Sequence, residues 1–264
     1  MVTTARTALV TGASSGIGAA FAAQLAEQGT DLVLVARSSQ RLAALAADLE
    51  GRFGVVVRIV ALDLSQPDSS ERLFQRLTDD DVRIDFLVNN AGASNRGAVA
   101  SADPAELAAE VELNVGAVVG ITARLLPGMI ERGHGVIVNV ASSAAFQPAP
   151  YLAVYAATKA FVLSFTQALW GETRETGVRV LALCPGPTDT AMLRGVADGE
   201  SPIRPRTPEQ VVTTALKALE SSKPSVVDGT ASAVIARVVP RFVPERALIR
   251  ATARMTRPAT VRLP

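Results

Sequence analysis

The chain is poor in the residues that most often build metal sites, disulfides and aromatic surfaces. Its 264 residues include one cysteine, Cys184, one histidine, His134, and an aromatic fraction of only 4%. A lone thiol cannot close an internal disulfide, and one histidine without a second thiol supplies neither a Cys/His metal cluster nor a hydrolase triad. No metal site is expected. Cys184, just before Pro185, reads as a buried small residue, and His134 as part of a turn. An excess of either charge is also missing: 26 Lys and Arg face 25 Asp and Glu, for a net charge of +1. Dedicated nucleic-acid binders are strongly basic, so no nucleic-acid partner is expected. No stretch of about 18 uncharged apolar residues occurs, and residues 1–6 lack a signal-peptide core, so neither a transmembrane segment nor an export signal is expected. A reducing, cytoplasmic compartment is the default expectation. Lysine is scarce as well; the three lysines are Lys159, Lys217 and Lys223, which makes the placement of each informative.

What is present points to one well-packed domain. Hydrophobic residues make up 48% and charged residues 19%, which excludes a disordered chain, and the length supports a substantial core. Short β-branched runs at 8–11, 32–36, 55–61, 86–89, 136–140 and 178–183 alternate with Ala/Leu-rich stretches at 16–28, 38–50, 68–78, 103–131 and 152–175. Strands this apolar on both faces, separated by helices, predict an α/β fold: a single domain over 1–264 with a doubly wound parallel sheet and helices on both faces. Residues 186–207 are rich in Gly, Pro and Thr and read as a long loop with a short helix, in which 188–205 is a candidate lid. From Gly229 onward seven arginines face one acid, Glu245, and Arg246, Arg250, Arg254 and Arg257 recur at helical spacing beside Leu248 and Ile249. This tail, about 230–264, reads either as a basic amphipathic helix for peripheral contact with anionic lipid or a partner, or as the solvated face of a docked helix.

Three local patterns carry chemistry. The first is Thr11-Gly12-Ala13-Ser14-Ser15-Gly16-Ile17-Gly18, which follows the first strand and opens the first helix. Its glycines let the backbone turn sharply, and the free N–H groups of the following helix favour a pyrophosphate. The spacing is a relative of the dinucleotide fingerprint, and no Lys-Ser/Thr pair follows it, so a nucleotide-hydrolysing P-loop is disfavoured. The second is the end of the second strand, Ala36-Arg37, where a carboxylate would bond ribose hydroxyls and repel a 2′-phosphate. Arg37 attracts that phosphate instead, with Ser14 and Arg41 as helpers, and so favours NADP(H). Asp63, after the third strand, is placed either to accept a hydrogen bond from an adenine amino group or to cap a helix. The third is Tyr155-Ala156-Ala157-Thr158-Lys159, which sets a phenol and an ammonium on one helical face. Two tyrosines and three lysines give about 0.02 such pairs by chance. A fixed cation lowers a phenol pKa towards working range, so the pair predicts acid–base catalysis. Tyr151, one turn earlier, reads as a pocket wall.

From about residue 7 to 190 the sequence resembles the short-chain dehydrogenase/reductase family. The likeness rests on the turn from Thr11 to Gly18, Asn89-Asn90-Ala91-Gly92, Asn114, Ser142 thirteen residues before the tyrosine, Tyr155-x3-Lys159, and Pro185-Gly186. It is closer to an NADP-preferring branch of ketoreductases, hydroxysteroid dehydrogenases and general reductases, marked by Val35-Ala36-Arg37-Ser38 and an Arg-rich tail. The resemblance implies a Rossmann-like fold and hydride transfer between nicotinamide and a carbonyl or secondary alcohol. It implies that Tyr155 is the acid/base, Ser142 polarises the carbonyl oxygen, and Lys159 lowers the Tyr155 pKa and holds the ribose. Asn114 would anchor a relay water. It also implies that Gly12, Ser14, Ser15, Gly16, Ile17 and Gly18 cradle the cofactor, with Asp63 and the adjoining Leu64 at the adenine. Asn90, Pro185, Gly186 and the Thr188 backbone would lie along the ribose and carboxamide ends. Ser94, Ala144, Phe146, Pro150, Tyr151 and the lid would shape a mostly apolar pocket for a hydrophobic small molecule. A homodimer or homotetramer is expected, the tetramer less so because no second Gly-rich segment follows Val226-Val227-Asp228-Gly229. Two alternatives stand beside this reading. One is a β-ketoacyl-thioester reductase, needing a basic patch for an acidic carrier, with Arg96, Arg124 and Arg132 as candidates. The other is an NADP(H)-binding sensor or scaffold, which would have no use for a proton donor.

Overall fold

Consecutive apolar residues along the inner strands are buried on alternating sides. In a computed structural model, which describes residues 6–196 and 204–258, Ala8 and Val10 of strand β1 (Thr7–Thr11) enter one core and Leu9 the opposite one. The same alternation in β2 (Asp31–Ala36) sends Leu32 and Leu34 one way and Val33 and Val35 the other. These strands join β3 (Val57–Ala61), β4 (Phe86–Asn89), β5 (Gly135–Val140), β6 (Val178–Cys184) and β7 (Ser225–Val227) in one parallel sheet, ordered β3-β2-β1-β4-β5-β6-β7. Helices α1 (Gly16–Ala26), α2 (Ser39–Phe53) and α8 (Pro208–Leu219) supply Phe21, Leu49 and Val212 to the first core. Helices α3 (Ser69–Asp79), α5 (Ala117–Glu131) and α6 (Ala153–Glu172) supply Leu73, Ile121 and Leu169 to the second. The doubly wound, Rossmann-like architecture read from the sequence is therefore present. Strand order reverses between β1 and β4, and the crevice at their carboxyl ends is where such sheets bind ligands.

The six expected strands all appear, and two further elements complete the sheet. Helix α8 starts at a reciprocal capping box, in which Thr207 and Gln210 bond each other's backbone and Pro208 takes the first helical position. It delivers the chain to β7, which pairs with β6 at Ala182–Cys184. The segment read as a loop holds the short helix α7 (Ala191–Val196). Residues 197–203 of the expected lid and 259–264 of the expected tail lie outside the described residues. The rest of the tail folds into α9 (Thr230–Arg237), α10 (Val239–Phe242) and α11 (Glu245–Thr256).

Helix α4 (Pro104–Val111) passes through a π turn, Glu112–Gly116, into α5. By length and composition alone the run Pro104–Glu131 could cross a membrane, its most apolar 18-residue stretch having a mean hydropathy of 1.5. It is built into the sandwich nonetheless: Ala117, Val118, Ile121, Thr122 and Met129 face inward, and Asn114 is fully buried.

Both ends of the 188–205 segment are pinned at one point. Thr188 and Arg206 form a parallel bridge, in which the Arg206 N–H donates to Pro187 O and the Asp189 N–H to Arg206 O. The Arg206 guanidinium lies 2.8 Å from the Asp228 carboxylate, off the axis of a directed hydrogen bond, and the Thr214 hydroxyl donates to the other carboxylate oxygen at 2.6 Å. Asp228 is 1% exposed while the Arg206 side chain is 37% exposed. Removing the acid strands a half-buried cation. Asp228→Ala is expected to lower unfolding free energy by about 2 kcal/mol in urea titrations, with Asp228→Asn losing less.

Candidate active site

A cleft of about 910 Å³ runs along the carboxyl edge of the sheet. Its phosphate end is the turn after β1. Gly12 and Gly16 adopt φ of +64° and +56°, and a Cβ on Gly18 would sit 2.4 Å from Gly12 O. Gly12, Ser14, Ser15, Gly16 and Ile17 line the cleft, whereas Gly18 lies beneath the turn, where its missing side chain lets helix and turn close. Ser15 holds the N-cap position of α1 without accepting a helix N–H, so the first-turn donors have no side-chain partner. That is the chemistry a pyrophosphate needs.

Asn90 also lines the cleft, but its side chain serves the turn, with Nδ2 donating to Thr11 O at 2.9 Å and Gly12 O at 3.3 Å. Thr11 completes this latch: its hydroxyl accepts from the N–H groups of Asn90 and Ala91 at 2.9 and 3.0 Å. The sequence reading missed Thr11 as a functional position, although it opens the motif. At the end of β2, Arg37 is exposed and lines the cleft with Arg41. Across from them Asp63 accepts from the N–H and hydroxyl of Ser65 at 3.0 and 2.8 Å. Burial alone would raise the Asp63 carboxyl, but these bonds and the Arg37 charge outweigh it, and its pKa is lowered. Asp63 is therefore no helix cap; that position belongs to Asp68. Leu64, Pro185, Gly186 and Thr188 complete the expected lining.

The catalytic end gathers Ser142, Tyr155 and Lys159. Ser142 lies two residues beyond β5 and accepts from the Ala144 N–H at 3.1 Å, within reach of the Tyr155 phenol. Helix α6 places Tyr155 and Lys159 on one face, with Nζ 5.8 Å from the phenol ring centroid. The electrostatics differ from the expectation. Burial pushes the Tyr155 phenol up, against the Ser142 hydrogen bond, and Glu110 adds to the rise. The Lys159 ammonium, on the same helical face, donates to Val140 O at 2.8 Å, and burial depresses its own pKa to about 8. Asn114 sits in the π turn next to this group but outside the cleft wall. Its amide is committed to the Ala93 N–H and C=O, both at 2.9 Å, and to Thr158 at 3.1 Å. The side chain thus fixes the loop after β4, with both amide hydrogens used. Thr158, which the sequence reading passed over, in turn donates to Tyr155 O at 2.7 Å.

The pocket walls are only partly those expected. Ser94 and Ala144 line the cleft, whereas Phe146 packs into a side core under the Arg237 guanidinium. Pro150 and Tyr151 are not on its walls; their carbonyls accept from Thr256 and Gly97 instead. The tail supplies what the sequence did not place there: Arg254, Met255, Thr256 and Arg257 line the cleft. Cys184 is fully buried with its thiol pushed up to about 12, and His134 is a surface residue near Asp85, so neither joins the site. The basic patch proposed for an acidic carrier is not assembled. Arg124 pairs with Glu71 at 2.7 Å, Arg132 bonds Ile84 O, and Arg96 holds the carbonyls of Thr256 and Arg257.

Residues 6–201 match the family model for short chain dehydrogenases. An uncharacterized oxidoreductase of Staphylococcus epidermidis is 34% identical over 195 residues, 74% of this chain and 83% of that protein. The human very-long-chain 3-oxoacyl-CoA reductase is 35% identical over 182 residues, 67% of this chain but only 58% of its own length. Among solved structures, a short-chain dehydrogenase from Sphingobium yanoikuyae in complex with NADPH superposes with a TM-score of 0.80 at 32% identity, covering 97% of this chain and 98% of the other.

The depressed Lys159 pKa implies that the free protein is strained by this buried ammonium. Below about pH 8 the residue is charged in both folded and unfolded states, so the cost of burial weighs against folding; between pH 8 and the unfolded value only the unfolded state holds the proton, and stability rises with pH. Lys159→Met is expected to stabilise the ligand-free protein at pH 7 by about 1–3 kcal/mol, read as a higher Tm, while turnover is lost. A lower Tm would reject this account of the lysine.

Proposed function

The chain belongs to the short-chain dehydrogenase family and is an oxidoreductase of CH–OH donors or their carbonyl counterparts; from that premise we propose that it is an NADP(H)-dependent carbonyl reductase with Tyr155 as proton donor. The observation that carries the proposal is that Ser142, Tyr155 and Lys159 line the same cleft whose other end is a phosphate cradle. When bound, NADP(H) supplies the hydride for reduction and accepts it in the reverse direction. The free N–H groups of α1 would hold its pyrophosphate, and Arg37 its 2′-phosphate. A neighbour solved with NADPH supports the same choice.

The raised phenol pKa fits reduction. At neutral pH Tyr155 is protonated and carries the hydrogen that the carbonyl oxygen must gain. Ser142 offers its hydroxyl to the same oxygen, fixing its position and stabilising the charge that develops there. Lys159 lies close enough to the phenol to stabilise the phenolate left behind. Asn114 and Thr158 hold the loop and helix that carry these groups in register. Leu113, Ala144, Leu152 and Met192 give the substrate end an apolar lining suited to a hydrophobic ketone or alcohol. Reduction of a 3-oxoacyl thioester is the second reading, favoured by the likeness to 3-oxoacyl-CoA reductases.

Two measurements test the reading. Tyr155→Phe is expected to reduce kcat by about 10²–10⁴-fold in NADPH oxidation with a ketone, while NADPH still titrates by fluorescence; retained turnover would remove the phenol from the mechanism. Arg37→Ala is expected to shrink the preference for NADPH over NADH, as a ratio of kcat/KM, by about 10–100-fold. An unchanged ratio would place the 2′-phosphate contact elsewhere.

A further inference from the structure

The cleft carries two groups of arginines, and cofactor binding accounts for one of them. Arg37 and Arg41 stand at the end of β2, opposite Asp63. Arg254 and Arg257, in the last turn of α11 and just beyond it, belong to the other end, as the anchors of that helix show. The Thr252 hydroxyl donates to Pro148 O at 3.0 Å and the Thr256 hydroxyl to Pro150 O at 2.5 Å, so the helix rests on the segment between Ser142 and Tyr155. From the opposite wall Arg96 donates to the carbonyls of Thr256 and Arg257 at 2.7 and 2.8 Å. The helix end is thereby clamped across the two loops that flank the catalytic group.

A helix docked for stability alone would turn its cations to water. The first part of α11 does this: Leu248 and Thr252 are buried while Arg246 and Arg250 are exposed. Arg254, exposed, and Arg257, half-buried, also line the cleft, and among the described residues no ion pair or hydrogen bond engages either guanidinium. The Arg257 Nε is moreover shut off from solvent with its hydrogen unused, a cost that an anion beside the guanidinium would offset. Asp63 is the single acid on the described walls, and it belongs to the adenosine end. The substrate end is thus apolar beside the reacting group and cationic at its rim.

Building on the reductase reading, we propose that Arg254 and Arg257 form an anion-binding subsite, so that the preferred substrate is a hydrophobic ketone or alcohol bearing a negative group remote from the reacting carbon. A carboxylate at the far end of the substrate and the phosphates of a carrier thioester share this chemistry. Arg254 is exposed and contributes chiefly steering, whereas the sheltered Arg257 can make a charge-assisted hydrogen bond.

The test uses two matched pairs on the full chain: an aryl keto acid with its methyl ester, and a 3-oxoacyl-CoA with its N-acetylcysteamine thioester. The charged member of one pair is expected to win by about tenfold or more in kcat/KM, and that pair identifies carboxylate or phosphate as the anion. In Arg254→Gln/Arg257→Gln the ratio of charged to neutral should fall by about tenfold, and Arg254→Lys/Arg257→Lys should restore part of it. Displacement of each compound from the NADPH complex, followed by fluorescence, gives the same ratio without turnover. If no compound is reduced, the reductase reading fails while binding still judges the subsite. No preference for either charged member in the wild type, or ratios unmoved by the glutamine substitutions, overturns the inference.

Discussion

The hydrogen bonds at the seam between β1 and β4 govern much of what the molecule can do. One hydroxyl, that of Thr11, accepts the backbone N–H groups of both Asn90 and Ala91, and the Asn90 amide returns two bonds to the carbonyls of Thr11 and Gly12. The phosphate turn is thus shaped by a side chain from the other half of the sheet. Gly18 must lack a Cβ because Gly12 O and the Asn90 amide occupy its place, at 2.4 and 2.6 Å. The same loop continues through Gly92 and Ala93, where Asn114 takes hold of it. Cofactor cradle and catalytic helix are therefore two ends of one polar lattice, and a shift at either end is felt at the other.

A second polar array stiffens the floor of the site. Asn89 and Asn139, paired across β4 and β5, bond each other at 2.9 Å and reach Thr122 on α5 and Thr166 on α6. Buried amides of this kind are stable only when nearly all of their hydrogens are used, which fixes strand and helix positions more sharply than apolar packing does. On this rigid base Lys159 is the exception, a buried ammonium with a single carbonyl partner and a depressed pKa. Such a group destabilises the folded protein and favours hydroxyl or phosphate oxygens beside it. Stability and function pull in opposite directions at this residue.

The cleft is closed from the side by segments distant in sequence. The Arg206–Asp228 pair pins the base of the 188–205 segment, and α11 lies over the loops after β4 and β5. Neither covering element contributes to the sheet. Both are attached through polar contacts rather than through the main cores, so their composition can vary without cost to the fold.

Most of the sheet and the catalytic group could be read from the chain alone. Strand and helix faces are periodic, glycine spacing is local, and Tyr155 and Lys159 share one helical turn, so each signal lies within a few residues. Helix α8 has a local signature too, Thr207-Pro208-Glu209-Gln210, in which the proline suits a first helical turn. What the chain could not reveal depends on partners far away. The side chain of Asn114 goes to Ala93 and Thr158, and the Lys159 ammonium bonds Val140 O. The basic tail, readable as a helix, is brought to the cleft by Arg96, 160 residues away from the carbonyl it holds, and by the bonds of Thr252 and Thr256 to Pro148 and Pro150. Burial and long-range hydrogen bonds depend on which segments meet in space, and only the tertiary structure decides that.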